Sequence, residues 1–313
     1  MGSMSCNTPS VLAIGECMLE LARHGASWQL GMGGDTFNTA LYMQRLGVPT
    51  AYLTALGTDP FSLELRASWV EEGLDTSMVL SDAGHLPGLY AIRTDTAGER
   101  SFSYWRENSA ARNLFKLPGI EAALERASQA RLLYFSGITL SLFSVAQQEQ
   151  LVEVAHKVRE RGGQVAFDLN YRPGGWASAQ AARDATERVA SVVTWALPSH
   201  EDAATLFGDK APEDTMAAWR RWGAHEVVVK LGARGCLVGA GGITQHLQPA
   251  AVREVVDTTG AGDSFNAGYL ASRIQSKSPL AAAQLAQRLA AEVIQHRGAI
   301  VPQAAMRGIL ERL

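Results

Sequence analysis

A chain of 313 residues, 47% hydrophobic and 19% charged, is long enough for one large α/β domain with an appendage and has an ordinary globular composition. Its formal net charge of −3, with no basic run, argues against nucleic acid as a partner, and a small acidic ligand would need local Arg or Lys. Three cysteines without metal-ligand spacing suit a reducing cytosol, no apolar stretch approaches the roughly 20 residues of a membrane span, and Val11–Ile14 is too short for a signal-peptide core. A soluble, cytoplasmic protein without a membrane partner is therefore expected. Met1-Gly2-Ser3 ahead of Met4 reads as an expression scar, which leaves 4–313 as a single domain.

In chain order, a strand at Val11–Ile14 is followed by residues 17–32, which alternate weakly and show no helical face. A helix over Thr36–Leu46 stops at Gly47 and Pro49, a strand follows at Ala51–Ala55, and a second helix runs over Phe61–Glu72. Gly88–Thr94 and Arg100–Trp105 read as two strands joined by the turn Asp95-Thr-Ala-Gly98. Strands are then expected at Leu132–Phe135, Gln164–Phe167, Val192–Leu197, Glu226–Val229 and Arg253–Val256. Helices are expected at Ala146–Arg161, Ala179–Ala190 and Ser264–Gln275. Several of the strands are apolar throughout, as strands covered on both faces are, and the alternation with helices predicts a doubly wound three-layer α/β/α sandwich. The stretches 17–32 and 86–106 break that rhythm and predict a small β-sheet lid made from two insertions.

The most informative segment is Asp257-Thr-Thr-Gly-Ala-Gly-Asp263-Ser-Phe. Its glycine turn runs into an amphipathic helix, so backbone amides and a helix N-terminus form an anion cradle with the Asp263 carboxylate at its edge. Phosphoryl transfer needs positioning and charge neutralisation more than a strong base, so a carboxylate suffices there. A second segment, Gly33-Gly34-Asp35-Thr36-Phe37-Asn38, also leads into a helix; its glycines permit close backbone approach to a ligand and Asn38 can both donate and accept. Alone it is commonplace as a helix start. Val227-Val-Val-Lys230-Leu-Gly232-Ala-Arg-Gly235 is a strand entering a glycine turn, and a plain β-hairpin explains it nearly as well.

Together these segments resemble the two signatures of the ribokinase-like, or PfkB, carbohydrate kinases. The resemblance implies a ribokinase-like sandwich with ATP and Mg²⁺ as its companions. It implies Asp263 as catalytic base, with Gly260, Ala261 and Gly262 as the anion hole. Lys230, Gly232 and Gly235 would line ATP together with Gly260 and Gly262. In potassium-activated members K⁺ sits where Asp257 and Thr259 stand, and Gly298 would adjoin the same site. The family's Asn-x-x-Glu motif is replaced by Ser199-His-Glu-Asp202, so Ser199 would face ATP and Asp202 would reach Mg²⁺ through water.

The sugar side is more specific. Gly15-Glu-Cys-Met-Leu-Glu-Leu21, Pro87-Gly-Leu-Tyr90, the string ending Tyr104-Trp105-Arg106, and Asn170-Tyr-Arg172-Pro resemble the branch of that family whose substrate is a keto-deoxy sugar acid, 2-keto-3-deoxygluconate. On that resemblance Arg172 binds the carboxylate, as guanidinium does bidentately, Tyr90, Tyr104 and Arg106 hold oxygens from the lid, and Gly33, Gly34 and Asn38 hold hydroxyls. Asp263 would then face the terminal C6 hydroxyl. A neutral-sugar kinase is the nearest rival, and Arg106 and Arg172 speak against it. A non-catalytic sugar-acid sensor would not need the intact Gly260–Asp263 loop, and a dinucleotide oxidoreductase would need a GxGxxG after the first strand, which the chain lacks. A lid sheet with an apolar face predicts a homo-oligomer paired through the lid.

Overall fold

The structure is a computed structural model and describes residues 10–24, 27–94 and 100–310. The first residues, Cys6 among them, and the turn 95–98 lie outside the described residues.

Strand β1 (Val11–Ile14) explains the architecture in miniature. Val11 and Ala13 enter one apolar core while Leu12 and Ile14 enter another, all at 1% exposure or less. A strand alternates its side chains between faces, so an unbroken apolar run demands cover on both. The same division recurs in β4 (Thr50–Leu56), β8 (Leu132–Ser136) and β9 (Gln164–Asp168). Helices α1 (Asp35–Arg45), α2 (Pro60–Glu71), α9 (Ala261–Ile274), α10 (Pro279–Val293) and α11 (Gln303–Leu310) cover one face. The other is covered by α3 (Ile120–Ala127), α4 (Gly137–Ser141), α5 (Val145–Glu160), α6 (Ala179–Ala190), α7 (His200–Phe207) and α8 (Pro212–Arg221). The expected three-layer sandwich is the one found.

With β5 (Val79–Ser81), β10 (Trp195–Ala196), β11 (Glu226–Lys230), β12 (Cys236–Ala240) and β13 (Ile243–Leu247), the large sheet has the order β13-β12-β11-β10-β9-β8-β1-β4-β5. It is parallel from β11 to β5, and the last two strands add an antiparallel edge. The chain leaves β1 toward β4 and later returns to β8 on its other side, so the strand order reverses at β1. In open α/β sheets the crevice at such a reversal, beyond the strands' carboxyl ends, is where ligands bind.

A second sheet has the order β3-β2-β6-β7, built from β2 (Met18–His24), β3 (Ser27–Gly33), β6 (Leu89–Thr94) and β7 (Arg100–Trp105). Cross-strand pairing places Glu20 beside Tyr90 and Tyr90 beside Tyr104, so these three share one face. Phe102 stacks on Tyr104 on that face with ring centroids 6.3 Å apart. The opposite face presents Trp28, Leu30 and Trp105, all exposed.

Two sequence expectations need correction. Only Trp195–Ala196 pairs within the expected strand Val192–Leu197, because Val192 and Val193 close the turn after α6 by bonding back to Val189 and Ala190. Arg253–Val256 is not a strand: it pairs with no strand among the described residues, and the Val256 and Asp257 amides donate instead to the carbonyl of Ile294 beyond α10. Its valines are left exposed. Strands β5 and β13 were not expected from the sequence, and β12 only through the hairpin alternative for Val227–Gly235.

Candidate active site

Two helix starts, far apart in sequence, meet over the reversal of the sheet. α1 begins directly after Gly34, whose missing side chain is a requirement: a Cβ there would stand 2.1 Å from the carbonyl oxygen of Glu16. The Asn38 amide donates to the Gly34 carbonyl at 2.7 Å, closing the first turn and turning its side chain toward α9. The back of α1 is fastened elsewhere, since the buried Tyr42 hydroxyl donates to Ala299 O at 2.7 Å and accepts from Val301 N at 3.0 Å.

α9 begins after Gly260, which is left-handed at φ 75° and packs so closely that a Cβ would lie 2.8 Å from Ala299 O. Asp257 braces the approach: its Oδ1 accepts from Thr259 N at 2.7 Å and its Oδ2 from Gly298 N at 3.0 Å. The Ala261 amide is drawn into this turn, donating to Thr258 O at 3.2 Å. The first-turn amides of Gly262 and Asp263 have no helical carbonyl to take and point out of the helix start. Lys230 Nζ, from the end of β11, lies 3.7 Å from the Cβ position of Gly262, adding an ammonium group to the cradle.

Asp263 sits at the junction. Its Oδ2 accepts from Asn38 Nδ2 at 2.8 Å, and its carbonyl accepts from Thr39 Oγ1 at 3.2 Å. From there a polar ring runs through the buried floor. Thr39 reaches the Tyr134 hydroxyl at 3.4 Å, which Asn266 Nδ2 contacts at 3.1 Å. Asn266 Nδ2 also donates to Asp168 Oδ2 at 2.7 Å, and Lys230 Nζ donates to the same oxygen at 2.6 Å and to Asn266 Oδ1 at 3.1 Å. Asp168 Oδ1 accepts from Asn170 N at 3.2 Å, and Asn170 Nδ2 donates to Asp35 Oδ2 at 2.8 Å, back on α1. Asn170 is one of two non-glycine residues among those described with positive φ, at 33°, a conformation held by these two bonds.

The charges set the chemistry. Burial, and then the neighbouring Asp35, push the Asp263 carboxyl up to about 7; Asp168 adds to the effect while Asn38 and Lys230 oppose it. Burial also raises Asp35. A carboxylate so tuned takes a proton near neutral pH more readily than a solvated one.

On the lid side, Tyr90 donates its hydroxyl hydrogen to Glu20, and Arg106 Nη2 donates to Glu16 Oε2. Tyr104 is exposed on the same face as Tyr90. Arg172 Nη1 donates to Tyr171 O at 2.7 Å and to Asp202 Oδ1 at 3.1 Å, and its side chain is 57% exposed. The two arginines are thus engaged by different carboxylates. Ser199 is the N-cap of α7, its Oγ accepting from Asp202 N at 3.0 Å, and its main chain bridges to Lys230. Gly232 and Gly235 lie in the turn between β11 and β12, so the plain hairpin reading of that segment holds while Lys230 still reaches the cradle.

Asn38, Lys230 and Asp263 are brought together, as are Gly34 and Gly262 around them; Gly33 ends β3 beside Tyr90. The sequence reading had given no site role to Asp35, Asp168, Asn170 and Asn266. Asp168 and Asn170 carried a usable signal, since they sit where β9 ends and ligands gather. Asn266, three residues after Asp263 on α9, carried only a spacing.

A carboxylate of raised basicity facing amide and ammonium donors is the equipment of a phosphotransferase that acts on an alcohol, where position and charge neutralisation carry the reaction. The chain matches the model of the pfkB family carbohydrate kinases over residues 8–306, and it belongs to that family. It is 41% identical over 306 residues to a 2-dehydro-3-deoxygluconokinase of Dickeya dadantii (strain 3937), covering 96% of this chain and 99% of that one. A 2-dehydro-3-deoxygluconokinase of Haemophilus influenzae is 38% identical, over 94% of this chain and 96% of its own. Among solved structures, a PfkB protein from Polaromonas sp. JS666 superposes with a TM-score of 0.83 at 26% identity, covering 97% of this chain and 99% of that one. The sheet, its helical layers and the separate smaller sheet are accordingly a ribokinase-like fold.

Proposed function

We propose that the protein transfers the γ-phosphoryl group of ATP to the C6 hydroxyl of 2-dehydro-3-deoxy-D-gluconate, giving 2-dehydro-3-deoxy-6-phosphogluconate. The observation that carries this reading is the position of Asp263, bonded to Asn38 of the sugar-side helix while lying in the first turn of the cradle helix. Asp263 takes the hydroxyl proton, and the Gly260–Gly262 turn with Lys230 stabilises the transferring phosphoryl group. Lys230, Gly232, Gly235 and Ser199 line the nucleotide. Gly33, Gly34, Asn38, Tyr90 and Tyr104 hold sugar oxygens, Arg106 donates from the lid, and Arg172, being well exposed, turns from Asp202 to the substrate carboxylate. The nearly full-length identity to sugar-acid kinases supports this substrate class over a neutral sugar.

Among the described residues no group of three or more His, Cys, Asp or Glu could hold a metal ion. Mg²⁺ binds through phosphate oxygens and water with one or two carboxylates, and Asp202 would be the carboxylate here. Bound with ATP, Mg²⁺ would neutralise phosphate charge. A monovalent cation is proposed beside Asp257 and Thr259, and dependence of kcat on K⁺ at constant ionic strength tests it. The exposed face of Trp28, Leu30 and Trp105 is proposed to meet a second copy of the chain. Light scattering of Trp105→Asp against the unchanged protein would show it as a lower mass.

The deciding experiment couples ADP release to a spectroscopic readout over sugar acids, fructose and ribose, with the product's phosphate position read by ³¹P NMR. Turnover on 2-dehydro-3-deoxygluconate exceeding that on neutral sugars by at least about a hundredfold in kcat/KM is expected, a discrimination that buried polar recognition supplies. Equal turnover of neutral sugars would overturn the assignment.

A further inference from the structure

The base of the lid holds a partly buried ion pair that the phosphoryl-transfer chemistry does not use. Glu16 follows β1 by two residues and is 2% exposed. Its Oε2 accepts from Arg106 Nη2, while its Oε1 and Arg106 Nε are both buried and without hydrogen-bond partners. A pair built for stability would be bidentate and satisfied, and a buried pair with two orphaned atoms is a poor stabiliser. The surroundings make room for it nonetheless. Gly88 is buried against it, and a Cβ there would stand 2.9 Å from Glu16 Oε1 and 3.2 Å from Arg106 Cβ. The Gly88 carbonyl is fixed by Leu19 N at 2.8 Å, and the Glu16 carbonyl lies against Gly34 of the sugar loop. Arg112 adds a second guanidinium nearby, its Nε donating to Arg106 O at 3.1 Å.

We infer that Glu16 is a positioning and specificity residue for the sugar acid: its carboxylate anchors the Arg106 guanidinium at the lid's base and cancels its charge. Resting on the sugar-acid reading above, this divides labour between the two arginines. Arg106 serves as an oriented hydrogen-bond donor to substrate oxygens, and the substrate's net charge is answered by Arg172, whose tie to Asp202 is longer and solvent-exposed. Without Glu16, Arg106 would be a partly buried, uncompensated cation beside Arg112 and would leave its place.

The test is a double-mutant cycle of Glu16→Gln, Arg106→Ala and the double variant, with KM measured for 2-dehydro-3-deoxygluconate and for ATP. Each single change is expected to raise the sugar-acid KM by about tenfold or more with the ATP KM within about twofold, and the double variant should be no worse than Arg106→Ala. A structural role alone would move both KM values, and independent roles would multiply in the double variant; either result overturns the inference. Arg106→Ala with an unchanged sugar KM would instead sink the substrate role given to Arg106. An effective Arg106→Ala beside a silent Glu16→Gln sinks the positioning role alone. Should Glu16→Gln fail to fold, Gly88→Ala enters the cycle in its place, because its new methyl displaces the pair from outside.

Discussion

Replacing Asp263, the proposed base, should make this protein more stable as it makes it inactive. The Asp263 carboxyl is pushed from an ordinary 3.8 up to about 7, chiefly by burial and by Asp35. A shift of that size disfavours the ionised form in the folded protein by about 4 kcal/mol. Because the folded-state pKa lies above the unfolded one, the folded chain holds a proton between about pH 4 and pH 7 that the unfolded chain has lost. The stability this supplies is present below pH 4 and is lost as pH rises through 7. At pH 8 the wild-type protein therefore carries the full penalty. Asp263→Asn is neutral throughout and can offer an oxygen to Asn38 Nδ2 where Asp263 now accepts at 2.8 Å. The variant should exceed the wild type at pH 8 by up to about 4 kcal/mol, with the gap shrinking toward zero near pH 4. Urea midpoints at pH 5, 6, 7 and 8 measure this, alongside a fall in kcat of about a hundredfold to ten-thousandfold. A gap that does not change with pH, or a variant less stable at pH 8, would falsify the electrostatic reasoning. Near-normal turnover would refute the base itself.

Other outcomes follow from the same geometry. Arg172→Ala should raise the KM for the sugar acid by about tenfold to a hundredfold, the worth of one charge-assisted contact, and leave the ATP KM unchanged; equal losses for both substrates would refute the carboxylate role. The acid limb of kcat/KM should fall with a midpoint near 7, and Asp35→Asn should move that midpoint down, since Asp35 is the largest neighbouring charge raising Asp263. An unmoved midpoint in the pH–rate profile counts against their coupling. Gly260→Ala forces a side chain into a left-handed position 2.8 Å from Ala299 O, so its urea midpoint should drop by the equivalent of about 1–2 kcal/mol, with kcat falling as the cradle shifts.

The fold was legible where burial on both faces left its mark on composition. β1, β8 and β9 read as strands because neighbouring residues had to satisfy two different cores. Arg253–Val256 has the same β-branched look, but a strand exists only with a partner, and nothing in four residues says whether an edge is available. β12 and β13 were obscured for other reasons: Cys236–Ala240 is interrupted by a glycine, and Ile243–Leu247 is almost wholly exposed on the sheet's edge. At the site, the glycine turns could be read because backbone approach to an anion leaves a local signature. Of the ring of Asp168, Asn266, Tyr134 and Thr39, only Asp168 left a trace, by its place at the end of β9. Those four come from two strands and two helices, and only the position of β9 next to β8 under α1 and α9 brings their polar atoms within bonding distance. Glu16 and Glu20 were visible as letters of a motif, but their partners Arg106 and Tyr90 lie across a sheet whose register the sequence does not specify.

The fastening of α1 by Tyr42 has a consequence during synthesis. That helix is among the first elements to leave the ribosome, yet its hydroxyl finds Ala299 and Val301 only after residues near 300 have been made. The same late segment packs against Gly260 and bonds to Asp257. A nascent chain thus spends most of its elongation with α1 unanchored and without Asp263, the proposed base. Incomplete copies should be inert toward ATP rather than wasteful hydrolases, and activity should switch on only when both ends of the chain have met.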